Sequence, residues 1–157
     1  MTTETGTDTT ITASVDVRCT PDRAFELFTG GINRWWHPDH HILAGDLKEV
    51  RMDPFVGGSV WEESVTGETC AFGRVLTWEP PGTFAFAWLI GPDWEPPAPD
   101  APGSTVTVTF SPTAGGTHVE LVHSDFDVHG PGWEAERGAM GSTDGWSAGL
   151  QRFAALV

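Results

Sequence analysis

Two stretches of strict period-two alternation constrain the fold of this chain more than any other feature. "STVTVTFSP" and "THVELVHS" meet at "TAGG", and "ETCAFGRVLTWE" and "TFAFAWLI" meet at "PPG". Successive side chains of a strand point to opposite faces, and short Gly- or Pro-rich links between such runs close hairpins. The pattern therefore predicts two antiparallel hairpins. Val106, Val108 and Phe110 share one strand face, as do Val119, Leu121 and His123. Phe84, Phe86, Trp88 and Ile90 share another, and regular alternation groups Phe72, Leu76 and Trp78, with the phase of Phe72 left open. "ITASVDVRC", "LAGDLKEVRM" and "FVGGSVWEES" extend the sheet to about six or seven strands.

Helical signals bracket these strands. "TPDRAFELFTGG" has Thr20 as N-cap, Pro21 at the first helical position and Asp22 in the first turn. Its Ala24, Phe25, Leu27 and Phe28 fall on one side, and Gly30–Gly31 ends it. "INRWW" forms a second short turn up to Pro38. The final segment, from "GWEAERG" onward, reads as the last helix, with Trp146, Leu150, Phe153 and Val157 as an apolar stripe. Gly138, Gly141, Gly145 and Gly149 recur along it, and a glycine inside a helix costs about 1 kcal/mol relative to alanine. Either the helix starts late, near Ser142 or Thr143, or a bare stripe leaves space between helix and sheet. The late start is expected for Gly138 and Gly141, with Gly145 and Gly149 inside the helix. The fold class is α+β: an antiparallel sheet with one face to cover, gripping a long C-terminal helix.

The 157 residues suffice for one domain, read as 10–157 behind a disordered polar tail over 1–9. No apolar run approaches the roughly 18–20 residues needed to span a bilayer. "MTTETGTDTT" lacks the basic start and apolar centre of a signal peptide, which predicts a cytoplasmic protein. Cys19 and Cys70 read as reduced thiols rather than a disulfide framework. A net charge of −14 without a Lys/Arg cluster disfavours nucleic acid and anionic membrane as partners. Eight Trp and nine Phe without a single Tyr suit an apolar interior or pocket. The segment "GPDWEPPAPDAPG", 91–103, is long for a hairpin link, and is either a passive insertion or a lid with Trp94 turned inward.

The pieces in their order and spacing resemble the START-like (SRPBCC) superfamily, the helix-grip fold, and within it the group related to activators of the heat-shock ATPase chaperone. The stretches that carry the resemblance are "TPDRAFELFT", "RWWHPDH", "GRVLTWEPPGTFAFAW", "STVTVTFSPTAGGTHVELVHSDF" and "GWSAGLQRFAALV". The resemblance implies a cavity between sheet and helix that receives an apolar or amphipathic small molecule. It carries no universal catalytic set. It also suggests that Phe84, Phe86 and Trp88 face the helix.

Several residues are candidates for the site. His37, Asp39, His40 and His41 offer metal-ligand chemistries, but Pro38 drives His37 out of the helical region, so no metal and no other cofactor is expected. Of the adjacent Trp35 and Trp36, Trp36 is the one expected to face a ligand. The expected wall is Trp36, Phe86, Trp88, Val108, Phe110, Leu121, Trp146 and Leu150, with His123 as polar handle. One of Glu62 and Glu63 must point inward. The leading expectation is a binder of a small apolar, aromatic or acyl molecule without established catalysis. The alternatives are a cyclase, dehydratase or hydrolase for aromatic or polyketide-like substrates using His123 with Glu63, and a chaperone-activator-like interaction module. A homodimer is compatible with the sequence.

Overall fold

The structure, a computed structural model, describes residues 9–98 and 100–157. The polar tail expected over 1–9 lies, apart from Thr9, outside the described residues. Seven antiparallel strands form a single curved sheet: β1 (Ile11–Val17), β2 (Leu47–Met52), β3 (Ser59–Ser64), β4 (Thr69–Glu79), β5 (Thr83–Trp88), β6 (Ser104–Thr113) and β7 (Gly116–Ser124). Their spatial order is β1-β7-β6-β5-β4-β3-β2, so the first strand closes the far edge beside the last. Both expected hairpins are present, β4–β5 across "PPG" and β6–β7 across "TAGG", with Val108 opposite Leu121 and Phe84 opposite Val108.

Helix α1 (Pro21–Thr29) starts where the capping signals place it, with the Thr20 hydroxyl accepting from Arg23 N at 3.2 Å. A short α2 (Ile32–Trp35) follows, and Trp36 leaves it in extended conformation ahead of Pro38. The rings of α1 enter the concave face of the sheet. Phe25 packs 5.2 Å from Phe110, and Phe28 packs 5.6 Å from Phe84 and 5.0 Å from Phe153. These contacts fill the β5–β6–β7 side of the fold with aromatic core.

Two expectations are corrected here. Regular alternation put Leu76 with Phe72 and Trp78, but Leu76 is 41% exposed on the outer face. The register of β4 slips against β3 between Val60 and Trp61 and against β5 between Val75 and Thr77. Each bulge inserts one residue and reverses the phase, so Phe72, Val75 and Trp78 are the residues that turn inward. The last helix is also not continuous. α3 (Trp133–Met140) and α4 (Trp146–Ala154) are separate, and the expected start near Ser142 falls in the break between them. Gly138 lies inside α3, Gly141 ends it, and Gly145 caps α4, where any Cβ would overlap the Met140 carbonyl. Gly149 alone serves the bare-stripe role, since a Cβ there would meet the Trp35 ring at 3.3 Å. Trp146, Leu150 and Phe153 are buried as the stripe requires, while Val157 lies past the helix and is exposed.

Candidate functional site

The α1 rings fill one side of the concave sheet and leave the other side open. A cavity of about 510 Å³ lies there, between the β3–β5 half of the sheet, the loop 36–42 and the α3–α4 break. Glu62, Phe72, Trp88 and Ile90 form its sheet wall. Met140, Trp146, Ala148, Gly149 and Arg152 form its helical wall. Trp35, Trp36 and the histidines of "HPDHH" close one side, and Trp94 stands at the edge. The cavity walls are mainly carbon, and the reason is visible residue by residue.

Five tryptophans line this space, and four have their single N–H donor engaged elsewhere in the protein. Trp35 Nε1 donates to Phe28 O at 3.0 Å, and Trp36 Nε1 donates to His40 O at 2.8 Å. Trp88 Nε1 donates to Glu136 Oε2 at 3.1 Å, and Trp146 Nε1 donates to His123 Nδ1 at 3.0 Å. An indole has one donor and no acceptor, so these four rings offer a ligand only faces and carbon edges. The rings also fix one another: Trp36 lies 5.4 Å from Phe72, Trp88 lies 5.6 Å from Phe72, and Trp146 lies edge-on to Trp88 at 5.9 Å.

Behind Trp146 runs a buried polar chain. Because the indole can only donate, His123 Nδ1 is the acceptor and Nε2 carries the ring proton. That N–H then donates to Ser104 Oγ at 2.7 Å, and the Ser104 hydroxyl donates to His129 Nε2 at 2.8 Å. Burial, with the neighbouring His129 second, pushes the His123 pKa down to about 3, so the ring is neutral. Burial lowers the His129 pKa as well. His123 is fully buried, stacked on Phe126 at 4.0 Å, and does not reach the cavity. The expected polar handle is thereby corrected: Trp146 stands between the imidazole and the cavity.

Glu136 anchors Trp88 in the same way. It is 1% exposed, its Oε1 has no partner among the described residues, and its pKa is pushed up to about 7. Burial is the main cause, opposed by the Trp88 hydrogen bond and reinforced by Asp93.

The inward glutamate is Glu62, not Glu63. Glu62 Oε1 accepts from Ile42 N at 2.9 Å and Oε2 from Leu43 N at 3.2 Å, which ties the loop after "HPDHH" to β3. Glu63 points to the opposite face, where it meets Lys48 at 3.5 Å and Arg51 at 3.4 Å. The expected His123–Glu63 pair is thus split across two faces of the sheet, because alternation along β3 sends neighbours to opposite sides. Glu120 is exposed, as its phase predicts.

At the mouth, His37 Nδ1 accepts from Asp39 N at 3.0 Å and its ring stacks on His40 at 4.7 Å. His41 Nδ1 donates to Leu43 O at 2.8 Å. Burial and the adjacent His37 lower the His40 pKa. These rings are engaged locally, and no group of three His, Cys, Asp or Glu converges in a metal-holding arrangement among the described residues. No helix among the described residues is long and apolar enough to cross a membrane.

Of the expected wall, Trp36, Trp88 and Trp146 line the cavity, and so does Trp94 of the 91–103 loop. Phe86, Val108, Phe110, Leu121 and Leu150 do not; they are buried in the aromatic core that α1 and α4 fill. Sequence reasoning missed Arg152, Met140, Ala148 and the buried Glu136 and Ser104. A signal for one of them was present: Gly145, Gly149 and Arg152 repeat at four and three residues, a second stripe on α4 beside the apolar one.

The family model described as activator of Hsp90 ATPase homolog 1-like protein matches residues 18–157. Among solved structures, the chain is 32% identical to the anthrahydroquino-γ-pyrone synthase Txn09, solved as a complex with SUM, covering 94% of this chain and 96% of that one with a TM-score of 0.67. It shares its fold with protein MLL2253 from Mesorhizobium loti, at 21% identity, 94% and 95% coverage and a TM-score of 0.67. Protein Ms6760 from Mycobacterium smegmatis is similar at 21% identity, 96% and 91% coverage and the same TM-score of 0.67. No curated protein matches the chain significantly.

Proposed function

The chain belongs to the family of activator of Hsp90 ATPase homolog 1-like proteins, and from that premise we propose that it binds a flat, largely apolar aromatic molecule in the cavity beside Trp36, Trp88 and Trp146. One observation carries the reading: four wall indoles have their only N–H groups engaged by acceptors of the protein itself. A wall built that way recognises ring faces and edges, and penalises a ligand that needs hydrogen bonds along its body. The volume of about 510 Å³ lies within the range typical of small-molecule sites, roughly 300–1,000 Å³. Trp94 supplies a fifth ring at the edge and acts as the lid residue.

The test compares 2-naphthol with its saturated counterpart, trans-2-decalol, by calorimetric titration. The reading expects the aromatic compound to bind several-fold more tightly. Equal affinities would leave an unselective greasy cavity and overturn it.

A second reading is supported by the 32% identity to a synthase: closure of a ring on an aromatic, polyketide-like substrate. Its base would be His40, whose ring stands at the cavity and whose lowered pKa leaves the imidazole free to accept a proton. It predicts that His40→Asn stops turnover of such a substrate while binding persists. Loss of binding in that variant would assign His40 to the wall instead. Family membership alone brings no chaperone partner to this chain.

A further inference from the structure

We infer that the aromatic ligand carries an anionic oxygen group, a carboxylate or an ionised phenol or enolate, which Arg152 receives at the cavity mouth; this rests on the reading that the cavity binds an aromatic molecule. Recognition of polarity has few places to occur in this site. The wall indoles are spent, and both oxygens of Glu62 are occupied by backbone N–H groups. The polar chemistry left is at the rim.

The chain has eight basic residues, and Arg152 is the one that lies on the cavity wall. Its Nε donates to Trp35 O at 3.1 Å, which holds the planar guanidinium in a set direction from α4. A guanidinium has five N–H donors in a fixed fork, so four remain on its two terminal nitrogens. Among the described residues no carboxylate lies within 4.0 Å of them, whereas Arg23, Lys48 and Arg51 all sit in ion pairs. An oriented fork of this kind matches a carboxylate in a two-point contact. His37 adds a second donor, since its Nδ1 already accepts from Asp39 N and its Nε2 therefore carries the proton. Asp39 and Asp144 also stand on the rim and oppose an anion. Both are exposed, as Arg152 is, so all three charges are screened alike and the advantage of the fork is its oriented two-point contact. The site thus selects a molecule with one flat apolar body and one negative end.

The experiment measures naphthalene-2-carboxylate against its neutral isostere naphthalene-2-carboxamide by calorimetry at low salt. The native protein should bind the carboxylate about tenfold more tightly, and the gap should narrow as salt is raised. Arg152→Gln should abolish the preference by weakening the carboxylate alone; an unchanged affinity for the carboxamide shows that the variant's cavity is intact. Arg152→Lys, which keeps the charge and loses the fork, should retain part of the preference. Equal affinities in the native protein, or a preference that survives Arg152→Gln, would overturn the role of Arg152 while leaving aromatic binding in place. Binding of neither compound would overturn the aromatic reading and this proposal with it.

Discussion

Replacing Glu136 with glutamine should stabilise the protein at neutral and alkaline pH and leave it nearly unchanged in acid. Glu136 is fully buried, accepts one hydrogen bond from Trp88 and has an orphan second oxygen. That environment favours the neutral acid, and the pKa rises from 4.5 to about 7. The folded state therefore holds a proton that the unfolded state releases between those values, and stability falls as pH rises through that window. At about 1.4 kcal/mol per pH unit the full loss is about 3 kcal/mol. His123 works in the opposite sense. Its pKa falls from 6.5 to about 3, so its contribution is complete above pH 6.5 and is lost as pH falls towards 3. Between about 4.5 and 6.5 the Glu136 slope offsets that of His123, and the lowered pKa values of His129 and His40 leave the native protein's stability rising with pH there. Glutamine keeps the acceptor for Trp88 and removes the ionisation. The variant should match the native protein within about 1 kcal/mol at pH 4.5 and exceed it by about 3 kcal/mol at pH 8. For a chain of this size that is a Tm difference of roughly 6–12 °C. Denaturant unfolding of both proteins from pH 4.5 to 8 measures the difference directly. A gap that does not grow with pH would refute the assignment of a neutral, buried carboxyl to Glu136.

Three further outcomes follow from the same geometry. Ser104→Ala should cost about 1–3 kcal/mol, because it leaves the His123 N–H and the His129 ring without their shared partner in a buried site; chemical denaturation at pH 8 reads it. Phe153→Ala should cost about 3–5 kcal/mol, since the ring is completely buried against Phe28, and the midpoint of urea unfolding checks it. Trp94→Ala should cost no more than about 1 kcal/mol, as the residue is 41% exposed, yet weaken 2-naphthol severalfold if Trp94 closes over the ligand.

The sheet was legible because period-two alternation with Gly- and Pro-rich links survives in nearly every strand. It failed where a bulge intervened: nothing in "FGRVLTW" announces that two register slips turn Leu76 outward and keep Trp78 in. The family resemblance is shared by the model match over 18–157. At the site, Trp146 could be nominated from its helix position, while Trp36 and Trp88 rested on the resemblance as well as on local geometry. Phe110, Leu121 and Leu150 have the same phase signature, but alternation tells inward from outward, not cavity from core. That distinction depends on which end of the sheet α1 fills, a tertiary fact. His123 misled for the same reason: its inward phase was readable, whereas the interposed Trp146 ring was not. Glu62 and Glu63 are adjacent acids, and the register against β2 and β4, not composition, decides which of them turns in.

The central claim, an aromatic-binding cavity behind "HPDHH", is tested most directly by calorimetric titration of anthraquinone-2-carboxylate into the native protein and into Ala148→Trp, whose added ring would occupy the half-buried helical wall of the cavity. The account predicts one-to-one micromolar binding with a negative heat-capacity change in the native protein, lost in the variant. No binding to the native protein, or unchanged binding to Ala148→Trp, would contradict it.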